Sequence, residues 1–537
     1  MMFALSKNLT ISGLLFSAIT LGTSSSVFAT PAADTLTQVA DAMGGAQIIL
    51  NSYNQSEYAK VSGFAPLQAP TPGGTAESFD GIEYHLTRAL DGQRYRTQWM
   101  LDIDFPLASQ YQFSEIINND QGAVIGIDSI LQAPQAPMQS IRLAARQVFN
   151  LVSSPVELVK TMLSTPQQVT QIGHHESSRK KLSVLSLRKF DKQFLLWIDN
   201  NTHLPTHVSY WDSNPSYGDV NVVTRFSNWQ AADGILVPML IEQSYHDELL
   251  IRIERQSVDF NLSFIQDPYS IPHELSAPLD NRAYQIGLKY SQWFHRYLLV
   301  GIPFDLNQFT TDSVFLQPVG NGVFYLQGFT HHSLIVEMDD YLILFDPVLL
   351  EERTQVVLPL IKQQWPNKKI KYVIPTHFHT DHSGGLRGYV ADGAKLVTIE
   401  NNKKFYKDVL KAKHIIYPDL LSLVHSKARM LQLDDKDNYI LEDGNRRVHL
   451  LQIDNRHAPG LIVPYIEDEK MIFVSDLYSP GLSPAPLPAQ FSFWGLDLYK
   501  DLLPRDLAIN KIIGAHGGMG SYEDFKTLIE STFPGNL

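Results

Sequence analysis

The most informative stretch of this chain is THFHTDH at residues 376–382. Imidazole nitrogen and carboxylate oxygen are the ligands that zinc and similar divalent metals prefer. His377 and His379 are two positions apart, so in an extended segment they project to the same side and could bind one metal. Asp381 and His382 follow where the chain must turn, and they could serve a second metal beside the first.

The residues around this cluster are typical of a site at the end of a strand. Residues 371–375 read KYVIP and predict a short buried strand, whereas Gly384 and Gly385 permit a tight bend into a helix. In α/β folds, functional residues usually lie at the carboxyl ends of strands. The sequence therefore predicts a metal site at such an edge.

Three later residues extend the cluster. His457, Asp476 and His516 each follow an apolar run that predicts a strand, and each stands beside small or turn-forming residues. Taken singly, Asp476 could be a helix cap and either histidine a loop residue. Their order after the first cluster favours one common metal site.

The composition indicates a globular protein and disfavours two kinds of partner. The chain has 537 residues, 44% of them hydrophobic and 18% charged, which predicts a globular protein of two or more domains. Its formal net charge of −13 disfavours nucleic acid and anionic membranes as partners. Because the chain has no cysteine, any metal must be held by nitrogen and oxygen.

The N-terminus predicts export. Residues 1–29 read as a signal peptide, with Lys7 in the positive region, an apolar run over residues 9–21 and a small-residue cleavage pattern at residues 27–29. The apolar run is shorter than the roughly 20 residues of a membrane-spanning helix. We therefore expect a periplasmic or secreted protein with no integral membrane segment after signal removal.

The rest of the chain divides into two halves with different patterns. Residues 30–264 predict a mainly antiparallel β domain with one helical interlude near residues 139–163, residues 265–309 predict a linker, and residues 310–537 alternate strands with helices. In the stretches LWIDNNTHLPTHVSYW and ADGILVPMLIEQ, the first domain resembles LolA-like half-barrels. That resemblance implies a lipid ligand, and the alternative is a scaffold or substrate-positioning domain.

Residues 310–537 resemble the metallo-β-lactamase fold superfamily, which implies an α/β catalytic domain built as an αββα sandwich. The resemblance includes each of the family's five sequential motifs. They stand here at Asp346, at His377 to His382, at His457, at Asp476 and at His516.

The resemblance also implies a ligand set for two Zn²⁺ ions, with iron or manganese left open. His377, His379 and His457 would hold one metal. Asp381, His382 and His516 would hold the second, and Asp476 would bridge the two. Asp346 would lie behind the ligands and orient one of them.

Two further motifs, THHSL at residues 330–334 and DLYSP at residues 476–480, resemble glyoxalase II-like hydrolases of the same superfamily. His331 and His332 could line the substrate site, or they could begin a strand as structural residues. Tyr478 could donate a hydrogen bond to a developing oxyanion, or it could simply pack.

The expected function is that of an exported binuclear zinc hydrolase acting on a small-molecule substrate. A metal-bound hydroxide would attack an ester, lactone, thioester or amide-like bond, and Asp381 would orient that hydroxide as the catalytic side chain. One alternative is an iron-dependent oxidoreductase on the same fold. Another is an envelope protein that handles lipids or lipoproteins and carries an accessory metal domain.

Overall fold

A computed structural model describes most of the chain. The described residues are 31–534 apart from 104–108, 129–132, 178–179, 300–305, 310–313, 329, 425–427, 434–437, 445 and 482–488. The predicted signal peptide lies outside this set. None of the described helices combines the length and apolar character that a membrane crossing requires.

One large antiparallel sheet dominates the N-terminal half, as the sequence predicts. Its described strands are β1 Gln55–Ala65, β2 Glu77–Arg88, β3 Arg94–Ile103, β4 Ser109–Asn118, β5 Gln121–Ile125, β6 Gln135–Pro137, β7 Thr170–Ser177, β8 Lys180–Lys189, β9 Lys192–Asp199, β10 Pro205–Asn214, β11 Gly218–Ala232, β12 Ile235–Tyr245 and β13 Glu248–Phe260. They run in the order β6-β5-β4-β3-β2-β1-β13-β12-β11-β10-β9-β8-β7. In β1, more and less buried residues alternate along the strand, which is the pattern of a sheet with one face on the core.

Helices pack against this sheet. They are α1 Pro31–Ala42, α2 Ala46–Asn51, α3 Ser140–Val152 and α4 Pro155–Ser164. The predicted helical interlude is therefore two helices, because Ser154 caps a new helix that has Pro155 at its first position. Side chains of α1, α3 and α4 share one buried apolar cluster with the strands. In the described residues, these side chains fill the sheet's inner face, so the structure gives no support for a lipid ligand.

Two short helices follow this sheet in the predicted linker, α5 Asn281–Lys289 and α6 Ser291–Tyr297. They pack on α3 and share an apolar cluster with residues 348–350 of the C-terminal half. The residues at which the domains divide remain predictions, but these helices hold the two halves in contact.

The C-terminal half is a sandwich of two sheets. The first sheet contains, in spatial order, β14 Phe315–Gly320, β15 Val323–Gln327, β16 Ser333–Glu337, β17 Tyr341–Phe345, β18 Lys369–Ile374, β19 Lys395–Ile399 and β20 Met430–Leu433. The second contains β21 Asn438–Asp443, β22 Arg446–Ile453, β23 Leu461–Ile466, β24 Met471–Phe473, β25 Lys511–Ile513 and β26 Met519–Ser521. A buried apolar cluster fills the space between them.

Helices cover the outer faces of both sheets. They are α7 Glu351–Gln364, α8 Thr380–Ser383, α9 Leu386–Ala391, α10 Glu400–Lys411, α11 Leu420–Leu423, α12 Ala489–Leu502 and α13 Tyr522–Thr532. Residues of α7, α9 and α10 pack on the first sheet, and residues of α12 and α13 pack on the second. The αββα layering predicted for this half is confirmed.

Candidate metal centre

The predicted ligands lie where strands of both sheets end. His377 and His379 follow β18, and Asp381 and His382 lie in α8 directly after them. The remaining three follow strands of the second sheet: His457 follows β22, Asp476 follows β24 and His516 follows β25. Because β17 and β18 are parallel, as are β24 and β25, their carboxyl ends bring these side chains to one edge of the sandwich.

These side chains form two groups that could each hold a metal ion. His377, His379, His457 and Asp476 form the first ligand group, and Asp381, His382, Asp476 and His516 form the second ligand group. Within each group the ligand atoms lie within 4.8 Å of one another. The structure therefore brings the residues together in the partition that the family resemblance implies, with Asp476 common to both groups.

Each ring of the first ligand group turns one nitrogen inward. His377 Nε2 lies 3.0 Å from His379 Nδ1 and 3.1 Å from His457 Nε2. Burial, followed by neighbouring histidines, holds the pKa of His377 well below its ordinary range and lowers the pKa of His379 to about 3. Both imidazoles are therefore neutral, which is the form that binds a metal.

Hydrogen bonds on the opposite ring nitrogens fix the tautomers of several ligands. His382 Nδ1–H donates to Asp346 Oδ2 over 2.9 Å, and His516 Nδ1–H donates to the Thr330 carbonyl over 2.5 Å. In each case Nε2 is the ring nitrogen that faces the second ligand group. His379 is held in the opposite sense, with Nε2–H donating to the carbonyl of Ala69 over 2.9 Å.

Asp346 lies behind the ligands, in the position that the family resemblance implies. Its Oδ1 accepts the Thr376 N–H over 2.7 Å, and its Oδ2 accepts from His382 and from the Ser475 hydroxyl. The residue is fully buried and has a φ of 54°, in the left-handed region that aspartate tolerates better than most residues. It therefore links the ends of β17, β18 and β24 to the orientation of one ligand.

The charges of the second ligand group fit a bound cation. Burial disfavours a charged His382, but the carboxylates of Asp476, Asp381 and Asp346 outweigh burial and raise its pKa well above the usual value. His382 Nε2 and Asp476 Oδ1 are buried 2.8 Å apart without hydrogen-bond geometry. The negative charge that favours a proton on His382 would equally favour a divalent cation, which the imidazole would bind in its neutral form.

The three residues predicted as possible substrate-lining residues lie in different environments in the structure. His331 lies beside the second ligand group, with Nε2 3.8 Å from Asp381 Oδ2 and its ring 4.6 Å from that of His516. His332 instead accepts the Gly328 N–H at the start of β16. Tyr478 packs its ring 4.8 Å from that of Phe525, within the cluster under the second sheet.

Four residues that carry no ligand-type motif also lie at the site. Gln68 Nε2 donates to Asp381 Oδ1 over 2.8 Å, and Ala69 receives the His379 bond. The Tyr297 hydroxyl lies 3.4 Å from His331 Nε2. The fourth, Trp494, has its ring 4.2 Å from the His457 ring.

Residues 326–500 match the model of the metallo-beta-lactamase superfamily. A linear primary-alkylsulfatase from Pseudomonas sp. is 32% identical over 111 residues, which are 20% of this chain. The match spans only 14% of that curated relative's length.

Two solved structures are similar at low identity. A metallo-beta-lactamase from Pontibacter korlensis is 18% identical with a TM-score of 0.32, and the match covers 41% of this chain and 98% of that chain. A stereoselective inverting sec-alkylsulfatase from Pseudomonas sp. is 17% identical with a TM-score of 0.31, and the match covers 41% of each chain.

The family match and the geometry concern the same residues. Of the seven side chains in the two ligand groups, six lie within residues 326–500, and only His516 follows them. Residues 326–500 of this chain belong to the metallo-β-lactamase superfamily.

Proposed function

We propose that this chain is a hydrolase with two zinc ions that cleaves an ester, lactone, thioester or amide-like bond of a small-molecule substrate. The observation that carries the proposal is the position of Asp476 between the two ligand groups. Its Oδ2 lies 3.1 Å from His457 Nε2, and its Oδ1 lies 3.1 Å from His516 Nε2. One carboxylate thus faces both groups, so it could bridge two metal ions held close together.

The chain's own side chains supply orientation and proton handling. When bound, zinc ions polarise the bond to be cleaved and make hydroxide available at neutral pH. Burial raises the pKa of Asp381, but His382 and His331 outweigh burial and hold it well below its usual value. Asp381 is therefore ionised at neutral pH, and its carboxylate can accept a hydrogen bond from the attacking water and orient it.

Alkyl sulfate esters are the substrate class that we propose to screen first. The support is the 32% identity to a protein named a linear primary-alkylsulfatase, which covers a small part of that protein. Carboxylic esters, lactones, thioesters and β-lactams come next, because the same two-metal arrangement serves each of these bonds. The net charge of −13 supports placing nucleic acids outside the screen.

We also propose that the protein is exported, on the strength of the signal-peptide pattern in residues 1–29. Expression of the full chain in a Gram-negative host, followed by fractionation and N-terminal sequencing, tests this. A mature N-terminus at Thr30 in the periplasmic fraction is expected. An uncleaved chain in the cytoplasm would contradict it.

The decisive measurement is the metal content of protein purified without chelators or added metal. About two zinc ions per chain are expected, with hydrolysis lost after chelation and restored by zinc. Iron near one per chain would contradict the zinc hydrolase and favour the redox alternative. A chain that binds no metal even after reconstitution would also refute the proposal.

A further inference from the structure

A loop of the N-terminal sheet reaches into the metal centre. Residues 66–69 follow β1 directly, and two of them bond to predicted ligands more than 300 positions later. Gln68 donates to Asp381, and Ala69 accepts from His379. We propose that this 66–69 loop is part of the active site and positions one ligand of each ligand group. The inference rests on the metal centre of the proposed function.

The Gln68 amide determines which oxygen of Asp381 faces the second ligand group. It occupies Oδ1 over 2.8 Å, whereas Oδ2 faces the ring nitrogens of His382 and His331 at 3.5 and 3.8 Å. A carboxylate accepts through both oxygens, so without this donor either oxygen could turn toward the metal. Gln68 therefore holds Asp381 in the orientation that presents a single oxygen to the second ligand group.

The Ala69 carbonyl determines which nitrogen of His379 is free to bind metal. A carbonyl oxygen only accepts, so the proton of the neutral His379 ring must be on Nε2. The lone pair is then on Nδ1, the atom that lies 3.0 Å from His377 Nε2. A hydrogen bond of this kind on the outer nitrogen of a metal-binding histidine fixes its tautomer and ring orientation.

The backbone of the loop is held in an unfavourable conformation. Leu67 has a φ of 69°, which is rare for a residue with a branched side chain, and it is buried. The Gln68 N–H bonds to the Ala65 carbonyl over 3.2 Å, and Pro66 and Pro70 flank the turn with fixed φ angles. Such strain persists only where the surrounding structure holds it, and it clusters at functional sites.

The loop gives the N-terminal sheet a role in the reaction. In the described residues, the helices fill the sheet's inner face, while the turn after β1 reaches the metal ligands. The N-terminal sheet therefore contributes a loop that contacts one ligand of each ligand group.

The main test replaces Gln68 in the full chain by methionine, which has similar length but no hydrogen-bond donor. The matched control is Gln110→Met, because exposed Gln110 makes the same kind of bond to Asp102, over 2.9 Å on the same sheet. Zinc affinity is measured by competition with a chelator, and thermal unfolding is measured on metal-free protein. For Gln68→Met we expect about 10-fold weaker binding of one of the two zinc ions, with metal-free unfolding shifted by no more than the loss of one hydrogen bond.

A second variant tests the backbone contact with His379. The triple change Leu67→Gly, Gln68→Gly and Ala69→Gly keeps every carbonyl but frees the loop. Both zinc ions should then bind about 10-fold more weakly or worse, and metal-free unfolding of this variant reports separately on lost packing. These measurements of zinc affinity and of metal-free unfolding do not depend on the activity of the enzyme.

The outcomes separate this inference from the proposed function. If wild-type protein binds two zinc ions and both Gln68→Met and the triple variant bind them with wild-type affinity, the inference is refuted and the hydrolase stands. If wild-type protein binds no zinc, both are refuted. A selective loss of zinc affinity in Gln68→Met but not in Gln110→Met supports the inference.

Discussion

Asp346→Asn is the sharpest perturbation of the metal centre, because it changes one atom's chemistry and almost nothing else. Asparagine tolerates the left-handed backbone of this position, with its φ of 54°. It also keeps an oxygen for the Thr376 N–H, and the Ser475 hydroxyl can rotate to accept from the new amide. The only conflict is with His382, whose Nδ1–H would face an NH₂ group in place of Oδ2.

The cost follows from the two ways of relieving that conflict. His382 can move its proton to Nε2, which removes the lone pair from the second ligand group. Alternatively, the new side-chain amide can flip and leave the buried Thr376 N–H unpaired, at about 1–3 kcal/mol. Loss of such an orienting partner typically weakens metal binding about 10–100-fold, which is roughly 1.4–2.7 kcal/mol.

The assay is zinc affinity by chelator competition on wild-type protein, Asp346→Asn and a control. Asp408→Asn is the control, since exposed Asp408 pairs with Lys404 in a surface helix. We expect one zinc ion to bind about 10–100-fold more weakly in Asp346→Asn and both to bind normally in the control. Binding of both ions by Asp346→Asn with wild-type affinity would refute the tautomer argument.

Three further predictions concern the site and the stability of the chain. His379→Ala should abolish zinc-dependent hydrolysis while far-UV circular dichroism stays close to wild type, and surviving activity would disprove the ligand assignment. Glu57→Gln should lower the free energy of unfolding by about 3–5 kcal/mol, because Glu57 is buried 2.8 Å from Arg255. As the control in the same guanidinium unfolding experiment, Lys404→Ala removes the exposed ion pair with Asp408. It should lower the free energy of unfolding by at most about 1 kcal/mol. Burial raises the pKa of Glu351 from 4.5 to about 7, so the folded state binds more protons than the unfolded state between these values. Relative to Glu351→Gln, the wild type should therefore lose up to about 3 kcal/mol of its free energy of unfolding as the pH rises from about 4.5 to 7. Free energies from urea unfolding that change with pH in the same way for both proteins would contradict this.

The clustering of these side chains could be predicted from the sequence because all of them follow the ends of four strands, β18, β22, β24 and β25. His377 and His379 carry a local motif, and His457, Asp476 and His516 each stand after an apolar run. Parallel strands bring such residues to one edge whatever the length of the connections between them. Local sequence is therefore enough to propose this part of the site.

The contribution of the 66–69 loop could not be predicted in the same way. Ala69 acts through a backbone carbonyl, which every residue possesses, and Gln68 is not a ligand-type residue. Both contacts depend on how two halves of the chain pack, and their partners lie 310 and 313 positions away. Similarly, nothing local separates His331, which lies beside Asp381, from His332, which turns toward the start of β16.

The pairing of β1 with β13 has a consequence for the order of folding. Gln55 at the start of β1 is opposite Phe260 at the end of β13, so the centre of the N-terminal sheet cannot form until residue 260 is available. Chains generally fold domain by domain from the N-terminus, and the long-range pairing of this sheet makes its formation slow. Metal binding at full affinity would therefore come late in folding. It would require that the N-terminal sheet has formed and has packed against the C-terminal half.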